Sequence, residues 1–388
     1  MARLHRRSWV AVLGMSVPIA VAFSCSIYNT SLLAPAPLVE AAVEADVDTD
    51  AGNGCELARW PARPSSDDGA GEGNLEVVDA VKSVDFGVGD AGIPPAFGFD
   101  LDGVCTCPLP DFPGSCRVLA SSKTRCDFAG GRDNTVAVLL ESFTRLSSAF
   151  TQTGINESLR DGYYGLLMRI RNYNGAANDP RIEVAAFDSS GNEGVEDGGV
   201  PNRPRLDGTD RWTINPASLV GRTAPPYVPV SVDTNAYVSN HRLVATVDFP
   251  LSFGTVQGQG SVAVQLKGSV VVGTLVPDGA SFRIEDGFLT GRWQVSRLLT
   301  ALEVLADPVD PTRYLCGDSP AYSAIKDMIC SGQDIVSDVK QDNTGAPCDS
   351  VSVAIGFTAT PAVLGKVVNP PPAVKPCGPQ WTDDCPRP

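Results

Sequence analysis

Apolar positions in this chain recur with two periods. Over 164–171, Tyr164, Leu166, Met168 and Ile170 alternate with Arg169 and Arg171, the period of two that turns one side of a strand to a core and the other away from it. Ile182, Val184 and Ala186 repeat the alternation after Asn172 to Pro180, a stretch whose Asn, Asp and Gly suit a long hairpin loop. Leu75 to Phe86 reads as an earlier strand. Shorter strands are expected near Trp212, at Tyr227 to Val232 and at Leu243 to Phe249, with Val351, Val353, Ile355 and Phe357 alternating in a last one. The densest β signal covers 260–293. There Gly268, Pro277-Asp278-Gly279 and Asp286-Gly287 separate Ser261 to Lys267, Ser269 to Val276, Ser281 to Glu285 and Phe288 to Trp293, which predicts a four-strand meander.

Three- and four-residue spacing marks the helices. Val136, Leu139, Leu140, Phe143, Leu146 and Phe150 follow Asp133 and Asn134, either of which can cap the helix. Val295, Leu298, Leu299, Leu302 and Leu305 form a second stripe, and Tyr322, Ile325, Met328 and Ile329 a third. No helical pattern separates successive strands between 163 and 293, so a parallel α/β sheet does not fit. The expected fold is mainly β: an antiparallel β-sandwich of jelly-roll-like type with a few packed helices, stapled by disulfides.

The chain begins differently. Arg3, His5, Arg6 and Arg7 precede an uncharged apolar run from Trp9 to Phe23, too short for a membrane span and suited to the core of an export signal. The run ends in Ala22-Phe23-Ser24-Cys25, which resembles the lipobox of bacterial lipoproteins. The resemblance covers the first 25 residues. It implies cleavage before Cys25, lipidation of that cysteine, and attachment to a membrane by several acyl chains; Ser26 in the next position implies the outer membrane, with simple secretion as the alternative.

Composition then fills in the remainder. The chain has 388 residues with 30 Lys and Arg against 45 Asp and Glu, a formal charge of −15. Removing Arg3, Arg6 and Arg7 with the signal takes this to −18, an acidic surface that argues against nucleic acid as a partner. Of 11 cysteines, one is assigned to lipid. The other ten, Cys55, Cys105, Cys107, Cys116, Cys126, Cys316, Cys330, Cys348, Cys377 and Cys385, read as disulfide candidates in an exported protein. They fall into two groups of five, so complete pairing requires at least one bridge between the groups. The resulting organisation is a signal peptide at 1–24, a lipid anchor and acidic flexible tether at 25–74, a cysteine-rich segment at 75–131, a β-sandwich-like domain at 132–360 and a proline-rich tail at 361–388, with Cys377 and Cys385 placed to close that tail on itself.

Candidate chemistry is sparse. With His5 removed, His241 alone remains, which rules out multi-histidine metal sites, and there is no Gly-x-Ser-x-Gly or phosphate-loop motif. Asp100 and Asp102 lie one residue apart before Gly103, like the start of an acidic calcium loop. Asn172, Tyr173, Asn174, Asn178 and Asp179 offer oxygens and a ring that could hold calcium or a sugar. Calcium is therefore the one cofactor read from the sequence. Glu183, Glu285 and Asp286 do not reproduce the Glu-x-Asp-x-x-Glu strand signature of sandwich-fold glucanases. The expectation is an acidic cell-envelope lipoprotein of non-catalytic type, with a binding or structural role toward a glycan or an envelope protein. The alternative is an anchored or secreted carbohydrate-active hydrolase using an Asp/Glu pair.

Overall fold

In the computed structural model the described residues are 56–67, 73–87, 97–106, 114–118, 126–144, 152–194, 202–221, 224–248, 250–254, 261–370 and 374–386. The signal segment, Cys25, Cys55 and Cys107 lie outside them. In chain order the elements are β1 (Leu75–Asp85), α1 (Thr135–Thr144), α2 (Gln152–Arg160), β2 (Gly165–Tyr173), β3 (Asp179–Ser189), β4 (Arg211–Ile214), β5 (Ser231–Ser239), β6 (Arg242–Thr246), β7 (Pro250–Gly254), β8 (Ser261–Asp278), β9 (Ser281–Gln294), α3 (Val295–Ala301), α4 (Tyr322–Ser331), β10 (Ser350–Pro361) and β11 (Val363–Val367).

The fold is mainly β, but its body is a closed barrel and not a sandwich. Strands run in the order β6-β5-β3-β2-β1-β10-β9-β8, every pair antiparallel, and β6 returns to pair with β8 through Leu243 opposite Gly273 and Val244 opposite Val272. Closure leaves the eight staves without an unpaired sheet edge along the seam, the exposure that an open sheet has to manage by other means. β7 pairs only with the first part of β8, outside the ring, while β4 and β11 form a separate parallel ribbon.

The predicted four-strand meander is two long strands. β8 and β9 run unbroken through Gly268 and Asp286-Gly287, which sit at β-bulges, and only the Pro277 to Gly279 turn reverses the chain. The bulges can be read from which residues are inward. In β8, Val262, Val264 and Leu266 belong to the central core before Gly268, but Val271 and Leu275 after it. In β9 the inward set passes from Ile284 to Leu289 and Trp293. One extra residue switches the parity and bends the strand, which is how a sheet is curved into a barrel. Gly268 has φ +53°, and a Cβ there would lie 2.8 Å from Val339 Cγ2.

All eight staves contribute to one core, with Val77, Met168, Ile182, Val238, Leu243, Val271, Ile284 and Val353 each at most 3% exposed. Helices α1 to α4 add Leu139, Leu159, Leu299 and Ile325 to it. Two smaller clusters lie on the outer wall. Trp212 of β4 covers Leu167, Ala185 and Phe187. Tyr237, Val244, Val270 and Val272 are covered by Trp60 and Phe99. Residues 56–67, expected to belong to a flexible tether, are therefore docked on the wall: Tyr237 donates to the Pro61 carbonyl at 2.6 Å, and the Arg63 guanidinium lies 4.5 Å from the centre of the Tyr237 ring. Likewise β1, expected in a separate cysteine-rich segment, is a barrel stave between β2 and β10. Tyr227 to Pro229 precedes the strand expected there, which begins at Ser231.

Three disulfides are described. Cys116–Cys348 joins the two cysteine groups, whereas Cys316–Cys377 and Cys330–Cys385 fasten the tail to the region around α4. Cys377 and Cys385 thus do not pair with each other as expected. The tail is held further by Asp383, which accepts from Tyr322 Oη and pairs with Lys326, both at 2.6 Å. Cys105 is also disulfide-bonded. Cys126, expected in a bridge, is a free and exposed thiol. Among the described residues no helix is long and apolar enough to cross a membrane.

One inward position breaks the apolar rule. Asp79 of β1 stands between Val77 and Val81, fully buried, with neither carboxylate oxygen hydrogen-bonded. Burial, with repulsion from Asp278 added, holds its pKa well above the usual carboxylate range. A group whose pKa is raised by folding costs stability progressively as the pH climbs past its unfolded value near 4. Asp79→Val is accordingly expected to stabilise the protein by about 1–3 kcal/mol at pH 8, and by less at pH 4, in urea unfolding at the two pH values. At the seam, Leu243→Ala removes a fully buried side chain and is expected to cost about 3 kcal/mol in the same measurement.

Candidate functional site

The acidic turn singled out in the sequence lies where the barrel wall is locally incomplete. β1 pairs with β10 only from Gly356 to Pro361, so the backbone donors of the earlier half of β10 face no strand on that side. Side chains take the place of the missing strand. Asp334 Oδ1 accepts from Ser352 N at 2.9 Å, and Asn134 Oδ1 accepts from Ala354 N at 3.0 Å. Asp334 Oδ2 takes two more bonds, from Thr135 Oγ1 and Ser352 Oγ. Neither Asp133 nor Asn134 caps α1 with its side chain in the way expected: Asn134 serves β10, and Asp133 Oδ2 accepts from Leu101 N at 2.7 Å.

That last bond brings in Asp100 and Asp102. Asp100, Asp102 and Asp133 are all buried, and one oxygen from each lies within 4.8 Å of the others. Asp100 Oδ1 accepts from Gly103 N at 2.8 Å and Asp102 N at 3.3 Å, while Oδ2 is 3.0 Å from Arg59 Nη1. Asp102 Oδ1 accepts from Val104 N at 2.9 Å. Asp127 closes the group, accepting from Thr106 N at 2.6 Å. A set of three carboxylates is oxygen-only chemistry of the kind calcium takes, and Asp100 Oδ1, Asp102 Oδ1 and Asp133 Oδ2 already accept from backbone donors of the chain itself. The arrangement works as a set of Asx turns that presses residues 97–106 onto the wall.

Burial sets the electrostatics of this group. It pushes Asp127 up to about 8 and Asp102 to about 6, with the neighbouring carboxylates adding to both. Asp133 is raised well above the usual range by burial and then by Asp102, Asp127 and Asp334. In Asp100 the same desolvation is opposed by Arg59. Next to the cluster, Arg292 of β9 is 1% exposed and bonds Asp342 through both guanidinium nitrogens at 2.7 Å, with the Leu101 and Val336 carbonyls as further acceptors. Asp127, Asp133, Asp334 and Arg292 were not apparent as neighbours of Asp100 because they come from three other stretches of chain, around 127–133, 292 and 334.

The Asn172 to Asp179 loop is built differently from a sugar-stacking loop. Tyr173 is fully buried, its ring edge-on to Phe282 at 5.2 Å and its hydroxyl donating to the Ala176 carbonyl, so the ring is not available to an outside ligand. Asn174 Oδ1 accepts from Ala176 N, Asn178 Oδ1 from Asn240 N and Asp179 Oδ2 from Asn174 N. These amides and this carboxylate hold the loop shape, and Asn172 takes the left-handed conformation at φ 61°. His241 belongs to the β5–β6 turn that docks on this loop, its N–H donating to the Ala177 carbonyl.

Two grooves lie among the described residues. The larger, about 510 Å³, runs over β1 and β2 and is lined by Glu76, Arg169, Arg171, Tyr227, Pro226 and Leu364, among others. The second, about 470 Å³, holds Glu193 and Asp210, but Glu193 is bonded to Arg211 and Lys366 N, and Asp210 accepts from Arg205 N and Leu206 N. No protein-family model matches the chain, and neither does any curated protein or solved structure.

The buried aspartates make a pH prediction. Their raised pKa values mean the folded state holds protons that the unfolded state has released, so stability falls as the pH rises from about 4 to about 8. Asp307, Asp383 and Glu193, whose pKa values are lowered chiefly by hydrogen bonds that outweigh burial, act in the opposite sense below about pH 4. The midpoint of thermal unfolding is expected to peak at mildly acidic pH, and Asp127→Asn to flatten its fall between pH 5 and 8. A wild-type curve that rises over this interval would contradict the assignment.

Proposed function

We propose that the chain is a cell-envelope lipoprotein of non-catalytic type, held at the outer membrane through Cys25, whose closed barrel binds a glycan or another surface molecule. The observation that carries the exported setting is the disulfide pattern. Cys116–Cys348 spans 232 residues, and Cys316–Cys377 and Cys330–Cys385 span 61 and 55; such long-range structural bridges persist in oxidising compartments. The basic head, apolar run and Ala22-Phe23-Ser24-Cys25 support the anchor. Support for binding comes from the outer wall, where the larger groove combines two guanidinium groups with proline and aliphatic walls, the mix of apolar lining and a few polar groups typical of ligand sites. The second groove and the aspartate cluster use their carboxylates internally.

Metabolic labelling with a fatty-acid analogue is expected to mark the wild-type protein and not Cys25→Ser. Label persisting in the variant would refute the anchor. A glycan array probed with the purified chain is expected to show saturable binding to a restricted set of saccharides; an empty array would remove the ligand from this reading and leave a structural role.

A further inference from the structure

We propose that the groove over β1 and β2 is a binding site for an acidic saccharide, one carrying a carboxylate on a pyranose ring, and that Arg169 and Arg171 receive the carboxylate. This rests on the glycan-binding reading above and names its ligand class. The first argument is the state of Arg169. On the outward face of β2 it is 2% exposed, yet it lines the groove. Its Nη1 donates to the Tyr227 carbonyl at 3.2 Å and its Nη2 to Glu183 at 3.3 Å, both long, and its Nε has no hydrogen-bond partner. A guanidinium has five N–H donors in a rigid fork. Burying one with a donor unmatched is costly unless something supplies the acceptor.

The second argument is the neighbour. Arg171, two residues on and on the same face, lines the same groove and has one carboxylate partner, Glu76, at 2.9 Å from Nε. Both are partly exposed, with side-chain exposures of 35% and 48%, so this pair is of the weak surface kind and exchangeable. A ligand carboxylate can replace Glu76 on Arg171 and lie beside the Arg169 guanidinium, giving the charge-assisted recognition that arginine favours. Within the groove two arginines stand against one glutamate, on a chain whose formal charge is −15. The rest of the lining is Pro225, Pro226, Pro361, Ala362 and Leu364 beside Tyr227. Such rigid apolar surfaces suit the C–H face of a sugar ring, and the volume fits a ligand of one or two rings.

The test is calorimetric titration of the purified full-length chain with a glucuronic-acid disaccharide, its neutral glucose counterpart and inorganic phosphate. The wild type is expected to bind the uronate in preference to both others, and to bind it more weakly as salt is raised. Arg171→Gln, a partly exposed position that should not disturb folding, is expected to weaken binding about tenfold or more. Glu76→Gln, which releases Arg171, is expected to strengthen it severalfold; thermal melts of both variants confirm the fold. Uronate binding unchanged in Arg171→Gln would overturn the site. Equal binding of the neutral disaccharide would overturn the acidic specificity and leave the glycan reading standing, and equal competition by phosphate would reduce the site to one for small anions. No uronate binding while the array shows other saccharides would overturn this proposal alone; an empty array would take the broader reading with it.

Discussion

The structure depends on one strand serving two neighbours in succession. β8 begins against β7 through Ser261 to Gln265, passes Gly268, and continues against β6 through Val270 to Thr274, while β9 accompanies it along the other side. Without the change of partner the sheet would stay open, and β6 would be an edge. Gly268 makes the change feasible, because its left-handed φ and its close approach to Val339 would both be strained by any side chain. The backbone next to the corner is secured by Val247 N donating to the Ser269 carbonyl and by Ser269 Oγ donating back to the Val247 carbonyl. The bulge of β9 at Asp286, φ 46°, performs the matching bend on the facing strand.

Once the barrel is closed, its outer wall decides where everything else can attach. A buried Arg292 offers four hydrogen bonds to two segments that have no strand pairing with β9, and so fixes the 97–106 turn and the 335–342 stretch side by side. Asn343 Nδ2 then donates to the Asp102 carbonyl, which adds a second tie between them. Arg169 has the same residue type and the same depth on the opposite part of the wall, but its hydrogen bonding is less complete. Both leave Nε without a hydrogen-bond partner, but Arg292 is held by a bidentate carboxylate and two carbonyls, whereas Arg169 has two longer bonds.

Much of the wall was apparent from the alternation alone, because β2, β3 and β10 bury one face against a common core and keep the polar or outer-wall residues on the other. What the pattern could not reveal is pairing between distant stretches. Gly268 and Asp286-Gly287 have turn chemistry, and the same positive-φ residues serve a hairpin or a bulge, so four strands were expected where two exist. A sandwich and a barrel present the same alternation; only the contact of β6 with β8 separates them. At the acidic site, Asp100 and Asp102 stood out because they are adjacent in sequence, whereas Asp133 was read as a helix cap and Asp334 carried no local signal. Tyr173 was misread for a related reason. Its loop composition suggested exposure, but the irregularity at Asn172, φ 61°, shifts the register at the end of β2 and turns the ring into the core.

The pairing of β1 with β10 has a consequence in time. Asp79 to Asp85 meets its partner only when Gly356 to Pro361 is present, so the wall cannot be completed until nearly the whole chain has left the ribosome. Contacts of such wide separation slow folding. The bridge from Cys116 to Cys348, which ends eight residues before the β10 segment that meets β1 begins at Gly356, likewise forms only once most of the chain is present.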